Sequence, residues 1–479
     1  MLFNSAHFLV FFPMVVAAYY SIPQRFRWAL LLASSCYFYM VFIPKYILIL
    51  FALILIDYAA GIAIEKSTGP RRQTLLFVSL AANVGMLGFF KYFNFLNDNL
   101  TSVLSALHLS NPAGHLDILL PIGLSFHTFQ SMSYTIEVYR GNQRAERHLG
   151  IYALYVLFFP QLVAGPIERP QNLLHQFREE KAFEYDRVVD GLKLMAWGFF
   201  KKMVIADRLA VLVDHVYSAP QARNGAELAL ATYFFAFQIY CDFSGYSDIA
   251  IGAAQVLGIG LMNNFNRPYF SKNVAEFWKR WHISLSSWFR DYLYIPLGGN
   301  RTGRARWYFN LFLTFLVSGI WHGANWTYLL WGAIHGTYLV FSIATRSVRE
   351  RVAHWARLDD FPGVRKLLGV FVTFHLVTFA WIAFRAKSIG EAWIVVGKIF
   401  DFGSWRMPAD LGLGRREIAL ALLSIAFMEM VHLLERHRNI RHMLKEKPAS
   451  IRGLVYAGMI LSILFFGRFN SRSFIYFQF

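Results

Sequence analysis

The chain has 479 residues, of which 56% are hydrophobic, 18% are aromatic and only 16% are charged. Soluble globular proteins carry roughly 25% charged residues, so this composition excludes an intrinsically disordered chain, a coiled coil and an ordinary soluble enzyme. It predicts a protein with many membrane-spanning segments. The two cysteines, Cys36 and Cys241, exclude a disulfide scaffold and any metal site built from several cysteines.

The net charge of +18 comes from 47 basic and 29 acidic residues. Basic residues form short clusters between apolar runs. The clusters are Arg25 and Arg27; Lys66, Arg71 and Arg72; Arg301, Arg304 and Arg306; and Arg436, Arg438, Arg441, Lys445 and Lys447. Basic loops beside membrane spans mark the cytoplasmic side. We therefore expect these clusters to meet anionic lipid headgroups and not nucleic acid.

A membrane-spanning helix needs about 20 mostly apolar residues. The first such run, residues 1–24, has no charged side chain and no basic start, so it predicts a retained span and not a cleaved signal peptide. The predicted spans are 1–24, 28–44, 46–64, 73–90, 116–139, 149–167, 188–213, 227–241, 247–265, 307–325, 327–345, 367–386, 416–434 and 453–467. The pattern predicts an all-α, polytopic membrane protein of roughly 11–14 hydrophobic helices.

The alternation of basic loops places the N-terminus outside and the 25–27 and 65–72 loops in the cytoplasm. Residues 149–167 break this alternation, because basic loops lie on both sides of them. They also hold Pro160, Gly165 and Pro166. We therefore expect 149–167 to re-enter the membrane, which requires a lining of protein or water. Without repeats or a linker, residues 1–479 are predicted to form one membrane domain.

Residues 307–345 contain no charged side chain but hold His322 within the run SGIWHGANW. If the helix starts near Trp307, His322 lies roughly 22 Å along its axis, past the membrane midplane. An ionisable group at that depth is a candidate functional residue, and histidine is suited to proton transfer near neutral pH. The alternative is a neutral histidine bonded to a neighbouring helix, which we expect for His335 and His375.

Residues 270–300 read FSKNVAEFWKRWHISLSSWFRDYLYIPLGGN. Helical spacing places Trp278, His282 and Leu285 on one stripe, which predicts an interfacial or cavity-lining helix. The turn 296–300 offers backbone amides that can meet an anion. The alternative is an interfacial helix whose Lys and Arg side chains reach the headgroups.

Two further polar runs interrupt apolar stretches. In the run YCDFSGYSD, Asp242 and Asp248 require partners, which we expect among the arginines of 267–290 as a structural ion pair. In residues 120–130, Pro121 and Gly123 predict an irregular start of a helix, with the side chains of His127 and Gln130 facing inward in structural roles.

Motifs for ATP binding, zinc proteases, serine hydrolases and CxxC thiol chemistry are absent from the sequence.

Taken together, these runs resemble the membrane-bound O-acyltransferase (MBOAT) family, and most closely its bacterial branch of alginate O-acetyltransferases. The resemblance covers nearly the whole chain. The matching stretches are PIGLSFHTFQSMSYTIEVYRG (121–141), FFPQLVAGPIERP (158–170), YCDFSGYSDIAIG (240–252), FNRPYFSKNVAEFWKRWHISLSSWFRDYLYIPLGGNR (265–301), SGIWHGANWTYLLWGAIHG (318–336) and FNSRSFIYFQF (469–479).

The resemblance implies a helical bundle with a central tunnel and a catalytic core at about residues 115–345. It places the family's invariant histidine on His322 and its second position on His282. His322 is then the general base, and His282 stabilises charge at the thioester or orients the acceptor. The residues expected to bind substrate or donor are Trp278, Arg280, Trp281, Arg290, Asp242, Asn300, Trp321 and Asn325. No metal or resident cofactor is expected.

The implied function is an acetyltransferase of the bacterial inner membrane that takes acetyl groups from cytoplasmic acetyl-CoA or another thioester. The acceptor is expected to be an exported polysaccharide, such as alginate or cellulose, reached through a periplasmic or membrane-anchored SGNH-type partner. Alternatives are peptidoglycan O-acetylation, D-alanylation of teichoic acid, acylation of lipids or proteins, and a non-enzymatic acyl channel.

Overall fold

The computed structural model describes residues 1–117, 121–408, 410–436, 440–469 and 474–475. Within these residues all regular secondary structure is helical, as the composition predicts. They group into two compact units that alternate along the chain. The first unit comprises 1–198 and 246–262, and the second comprises 199–245 and the described part of 263–475. The expectation of one membrane domain stays a prediction.

The first unit begins with a helix whose N-terminus is capped by Ser5, since the Ser5 hydroxyl accepts a hydrogen bond from the Phe8 amide at 3.3 Å. Its helices are α1 (Ala6–Ser21), α2 (Gln24–Met40), α3 (Ile47–Lys66), α4 (Gly69–Leu87), α5 (Phe93–Ala106), α6 (Leu124–Arg140), α7 (Leu149–Leu157), α8 (Pro170–Leu173) and α9 (Tyr185–Phe199), whose last residue begins the second unit. A π-helical turn, Gly88–Tyr92, joins α4 to α5.

After Phe199, the second unit continues with a π-helical segment, Phe200–Ala206, that directly follows α9. Its helices are α10 (Asp207–Tyr217), α11 (Gly225–Val256), α12 (Val274–Trp278), α13 (Ile283–Phe289), α14 (Arg304–His322), α15 (Trp326–Ala344), α16 (Arg346–Trp355), α17 (Pro362–Arg385), α18 (Ile389–Phe400), α19 (Arg415–Leu434), α20 (Ile440–Lys445) and α21 (Ala449–Phe466). The residues of α11 after Gly245 belong to the first unit. A π-helical turn, Arg290–Tyr294, follows α13.

Five helical stretches among the described residues are long and apolar enough to cross a bilayer, so the chain is a multi-pass membrane protein. They are Pro44–Lys66, Gly69–Ala106, Pro362–Arg385, Arg415–Leu434 and Ala449–Phe466. These stretches confirm the predicted spans at 46–64, 73–90, 367–386, 416–434 and 453–467. The predicted spans 1–24 and 28–44 contain helices of 16 and 17 residues.

Residues 149–167 contain only the nine-residue helix α7. At 1.5 Å per residue, nine residues extend about 14 Å, which is too short to cross the roughly 30 Å hydrocarbon layer. The non-helical backbone that follows is buried, and the Phe159 amide donates to the Ser35 hydroxyl at 3.0 Å. Protein therefore satisfies this irregular backbone, as a re-entrant segment requires.

The predicted structural role of residues 121–130 is confirmed for Gln130. Gln130 is 4% exposed, and its side-chain amide donates to the carbonyl oxygen of Tyr155 at 2.5 Å. In return the Tyr155 hydroxyl donates to the carbonyl oxygen of Gln130 at 3.2 Å. This reciprocal pair ties α6 to α7. Leu120, which begins the run, lies outside the described residues.

The division of 227–265 into two spans is wrong, because α11 runs unbroken through the polar residues of 240–248. Its 32 residues extend about 48 Å. Asp242 can remain in the helix because the Lys202 ammonium neutralises its carboxylate at 2.5 Å. A helix need not break at a charged residue that is paired where it stands.

Helices α14 and α15 form a hairpin whose backbones touch at two glycines. A Cβ atom on Gly319 would collide with the carbonyl oxygen of Tyr328 and lie 3.2 Å from the Cα of Gly332, and a Cβ on Gly332 would collide with the carbonyl of Phe315. Small residues allow such close helix contact inside membranes. The space beside Gly319 is therefore occupied by the backbone of α15.

We expect Gly319→Leu to force α14 and α15 apart and to destabilise the protein. Overpacking of this kind costs about 1–3 kcal/mol. The measurement is the thermal unfolding midpoint of purified protein in detergent, followed by size-exclusion chromatography. Gly397→Leu on α18 is the matched control, since a Cβ there meets no atom within 4 Å. Equal midpoints for the two variants would contradict the glycine contact.

Candidate active site

The α14–α15 hairpin places His322 at the last residue of α14. The turn is held by Asn325, whose side-chain oxygen accepts from the Thr327 amide at 3.0 Å and caps α15. The Asn325 amide group donates to the carbonyl oxygen of Lys387 at 2.9 Å. Asn325 thus holds the turn that follows His322. Its described hydrogen bonds go to backbone groups.

Aromatic rings surround the imidazole of His322. Its ring centroid lies 5.0 Å from that of Trp321, 5.0 Å from that of Trp331 and 5.3 Å from that of Phe384, all in edge-on geometry. His322 is 4% exposed. An ionisable group in such an apolar enclosure is desolvated, and electrostatic interactions there are stronger than in water.

His282 lies where the helix predicted within residues 270–300 breaks. Helix α12 ends at Trp278 and α13 begins at Ile283, and His282 between them adopts φ 44° and ψ 55°. The prediction of a continuous helix is therefore wrong. A left-handed backbone is uncommon for a residue other than glycine and marks strain that tends to occur at functional sites.

The structure brings the two predicted histidines to one tryptophan. The ring of Trp321 lies 6.4 Å from that of His282 and 5.0 Å from that of His322, between ring centroids. His282 also packs edge-on against Phe243, with 4.5 Å between ring centroids. Both histidines and Trp321 belong to the second unit. Sequence spacing alone could not show this proximity, because 40 positions separate the histidines along the chain.

Asn264 sets the proton position on His282. The side-chain oxygen of Asn264 accepts from the Ser284 amide at 3.2 Å and from the Ser284 hydroxyl at 2.8 Å. A backbone amide can only donate, so this atom is the oxygen and not the nitrogen of the side chain. His282 Nδ1, at 3.2 Å from the same oxygen, therefore carries the proton. In the neutral ring, Nε2 is then the nitrogen with the lone pair.

His282 is held in its neutral form. It is 1% exposed, and burial lowers its pKa to about 3 because the imidazolium loses its hydration. At neutral pH its Nε2 is thus a hydrogen-bond acceptor. The sequence did not single out Asn264, although it directly precedes the 265–301 stretch.

The partner of Asp242 differs from the prediction. Its carboxylate contacts Lys202 at 2.5 Å and accepts from the Ile475 amide at 2.6 Å, while Lys202 also contacts Asp207 at 2.9 Å. The expected partner among the arginines of 267–290 is therefore wrong. Lys202 lies in the predicted span 188–213, and a lysine within an apolar span was the signal that could have found it.

Of the other residues expected to bind substrate or donor, Trp278 lies close to the rings around His322. Trp278 contacts the ring of Trp331, with 5.6 Å between ring centroids. Trp331 in turn contacts His322. The indole nitrogen of Trp278 donates to His335 at 3.3 Å, which confirms His335 as a histidine bonded to another helix. His375 instead bonds the carbonyl of Phe371 in its own helix at 2.8 Å.

The remaining predicted residues have described contacts away from the histidines. Trp281 stacks on Phe277 at 5.4 Å, and Arg280 pairs with Glu276 at 2.6 Å. Arg290 pairs with the adjacent Asp291 at 2.7 Å, and Asn300 is exposed. Their roles in binding stay predictions.

The anion-binding turn at 296–300 is not formed as predicted. The amides of Leu297, Gly298 and Gly299 donate to the carbonyl oxygens of Leu293, Ile295 and Tyr294. Amides already bonded to backbone cannot also cradle an anion. Within the described part of the chain, no group of three His, Cys, Asp or Glu side chains could hold a metal ion, and the expected absence of a metal stays a prediction.

We expect Lys202→Met to lower the thermal unfolding midpoint strongly, because it leaves the carboxylates of Asp207 and Asp242 buried together. Removing one partner of a buried ion pair costs about 3–5 kcal/mol. The exposed pair of Arg346 and Glu350 supplies the control, since Arg346→Met should leave the midpoint nearly unchanged. Adding Asp207→Asn and Asp242→Asn to Lys202→Met should restore part of the loss; no restoration would contradict the assigned triad.

The family model described as MBOAT, membrane-bound O-acyltransferase family, matches residues 124–383. The chain is 37% identical over 507 aligned positions to "Probable alginate O-acetylase AlgI" of Pseudomonas putida, covering 100% of both chains. It is 35% identical to "Peptidoglycan O-acetyltransferase" of Helicobacter pylori, over 82% of this chain and 78% of the relative. It is 28% identical to "Teichoic acid D-alanyltransferase" of Bacillus subtilis, over 58% of this chain and 73% of the relative.

Proposed function

Because this chain belongs to the membrane-bound O-acyltransferase family, and is therefore an O-acyltransferase, we propose that it moves acetyl groups from a thioester toward O-acetylation of a cell-envelope polysaccharide, with a partner protein completing the transfer to the polymer. The observation that carries this proposal is the pair of buried histidines on Trp321. Full-length similarity to the Pseudomonas putida relative, named for alginate acetylation, favours an exopolysaccharide of the alginate type as the acceptor.

His322 acts as the general base in this mechanism. It takes the proton from the acceptor hydroxyl as the hydroxyl oxygen attacks the carbonyl carbon of the thioester. The carbon–sulfur bond then breaks, and the leaving thiolate takes the proton back from His322. The aromatic rings around His322 keep water out, which suppresses hydrolysis of the thioester.

His282 orients the acceptor. Its Nε2 accepts a hydrogen bond, and its low pKa keeps the ring from charging. A neutral ring protonated at Nδ1 cannot donate from Nε2 to an oxyanion. Of the two roles implied by the resemblance, stabilising charge or orienting the acceptor, this geometry favours the second. The bond from Nδ1 to Asn264 and the edge-on contact with Phe243 fix the direction of Nε2.

We further propose that the donor is acetyl-CoA or another acetyl thioester that enters from the cytoplasm near the basic residues of 267–306. The enzyme resides in the bacterial inner membrane, and a periplasmic or membrane-anchored SGNH-type partner passes the acetyl group to the polymer. No metal takes part in the proposed steps. Support comes from the clustering of basic residues beside apolar helices.

A second candidate acceptor is peptidoglycan, favoured by the 35% identity to the Helicobacter pylori relative. D-alanylation of teichoic acid has weaker support, because that relative is 28% identical and matches 58% of this chain. Acetylation assays with alginate, cellulose and peptidoglycan fragments discriminate these acceptors. Replacing the acetyl donor with a D-alanyl thioester tests D-alanylation of teichoic acid.

We expect His322→Ala to slow acetyl transfer by about 10²–10⁴-fold, which is the usual contribution of a general base to the rate. The measurement is release of labelled acetyl from acetyl-CoA by purified protein in liposomes, with candidate partner and acceptor added. His375→Ala is the matched control, because the described hydrogen bond of His375 goes to the Phe371 carbonyl of its own helix. Wild-type rates for His322→Ala would overturn the mechanism.

We expect Asn264→Ala to lower kcat by about 10²-fold with little change in KM, because the His282 ring loses its fixed tautomer. Asn264→Asp keeps an oxygen acceptor and should retain most activity. Its carboxylate stabilises the imidazolium and raises the pKa of His282, so the acidic limb of the pH–rate profile should move to higher pH. Unchanged kcat in Asn264→Ala would show that the bond does not position the ring.

A further inference from the structure

A basic cavity of about 830 Å³ lies in the second unit, at the start of α14 and α17. Residues from four parts of the chain converge on it, and five of the thirteen are Lys or Arg. The residues that form the basic cavity include Lys272, Trp307, Arg346, Arg349, Arg365 and Lys366. None of these side chains takes part in the proposed bond-making steps, although Lys272 lies within the 267–306 region proposed for donor entry.

The positive charges of the basic cavity outnumber the carboxylates beside it. Arg346 pairs with Glu350 at 2.8 Å, and Arg365 pairs with Asp359. The Arg349 guanidinium donates hydrogen bonds to the carbonyl oxygen and hydroxyl of Ser342, which are neutral groups. Lys272 and Lys366 have no ion pair among the residues that the structure describes. The cavity therefore retains an excess of positive charge. It favours an anion that accepts several charge-assisted hydrogen bonds.

Helix α16 shows that the basic cavity lies at a membrane surface. Arg346, Arg349 and Ala353 on one stripe of α16 line the cavity. On the opposite side Val348 and Val352 are 49% and 55% exposed, and Trp355 is 86% exposed. A short helix with a basic face and an exposed apolar face lies in the plane of the membrane interface, and tryptophan is enriched at that depth.

The rim of the basic cavity adjoins the apolar outer surface of α17, a candidate membrane span. Arg365 and Lys366 line the cavity, and within the next two turns Leu367 is 70% exposed and Phe371 is 59% exposed. A ligand with a phosphate in the cavity can thus lay acyl chains along α17. A soluble phosphoester has no acyl chains and would make no contact with this adjoining apolar surface.

We propose that the basic cavity binds the headgroup phosphate of an anionic phospholipid, such as phosphatidylglycerol or cardiolipin. Lys272 and Lys366 supply direct contacts to the phosphate, and the guanidinium of Arg349 adds a third. Trp307 and Trp355 mark the headgroup level on either side. Basic pockets beside membrane helices recognise such headgroups. The proposal depends on the chain residing in a membrane and not on which acyl donor or acceptor it uses.

The test compares lipid binding by the full chain, purified in detergent, using native mass spectrometry with phosphatidylglycerol and phosphatidylcholine. We expect the wild type to prefer phosphatidylglycerol. Lys272→Gln combined with Lys366→Gln should weaken that binding about tenfold or more, since each cation near a lipid phosphate contributes appreciably. Lys272→Arg with Lys366→Arg should retain it and shows that the positions tolerate substitution.

Two controls show whether lipid binding depends on the charges in the cavity or on the overall charge of the protein. Arg351→Gln with Arg357→Gln removes the same number of charges from exposed positions outside the residues lining the cavity, and should leave binding unchanged. Equal losses in the two double variants, or equal binding of phosphatidylcholine, would overturn the proposal. Full displacement of phosphatidylglycerol by glycerol phosphate or coenzyme A at comparable affinity would assign the cavity to a soluble phosphoester and also overturn it.

Discussion

Two helix backbones touch at Gly319 and Gly332, and this contact determines where the rings around His322 lie. Because α14 and α15 meet without intervening side chains, the ring of Trp331 on α15 comes within 5.0 Å of that of His322 on α14. Phe384 from α17 completes the enclosure at 5.3 Å. A larger residue at either glycine would widen the hairpin and admit water to the imidazole.

The second histidine depends on a different constraint, the hydrogen bonds of Asn264. One side-chain oxygen accepts from the amide and hydroxyl of Ser284 and from His282 Nδ1. These bonds fix both the left-handed turn at His282 and the position of its proton. The site thus combines one histidine enclosed by aromatic rings with another whose tautomer is set by a neighbouring amide. Such fixed polarity is what acyl transfer in a dry site requires.

The charge of +18 acts in two distinct environments of the molecule. Inside the second unit, Lys202 is buried between Asp207 and Asp242, where it stabilises a long helix that would otherwise carry an unpaired carboxylate. At the surface, the excess charge of the basic cavity faces the membrane interface instead. Composition reports only the sum of these charges, whereas their environments decide whether they stabilise the fold or bind a ligand.

The amino-acid sequence by itself determined the helical membrane class, five of the spans and the two histidine motifs, because apolar run length and local residue order carry that information. It failed where distant residues decide local structure. Lys202 neutralises Asp242, so that α11 continues through this residue. Asn264 stabilises the break in the helix at His282, where helical periodicity predicts a continuous helix. Only the tertiary structure placed both histidines on Trp321, because that proximity arises from contacts between segments far apart in the chain.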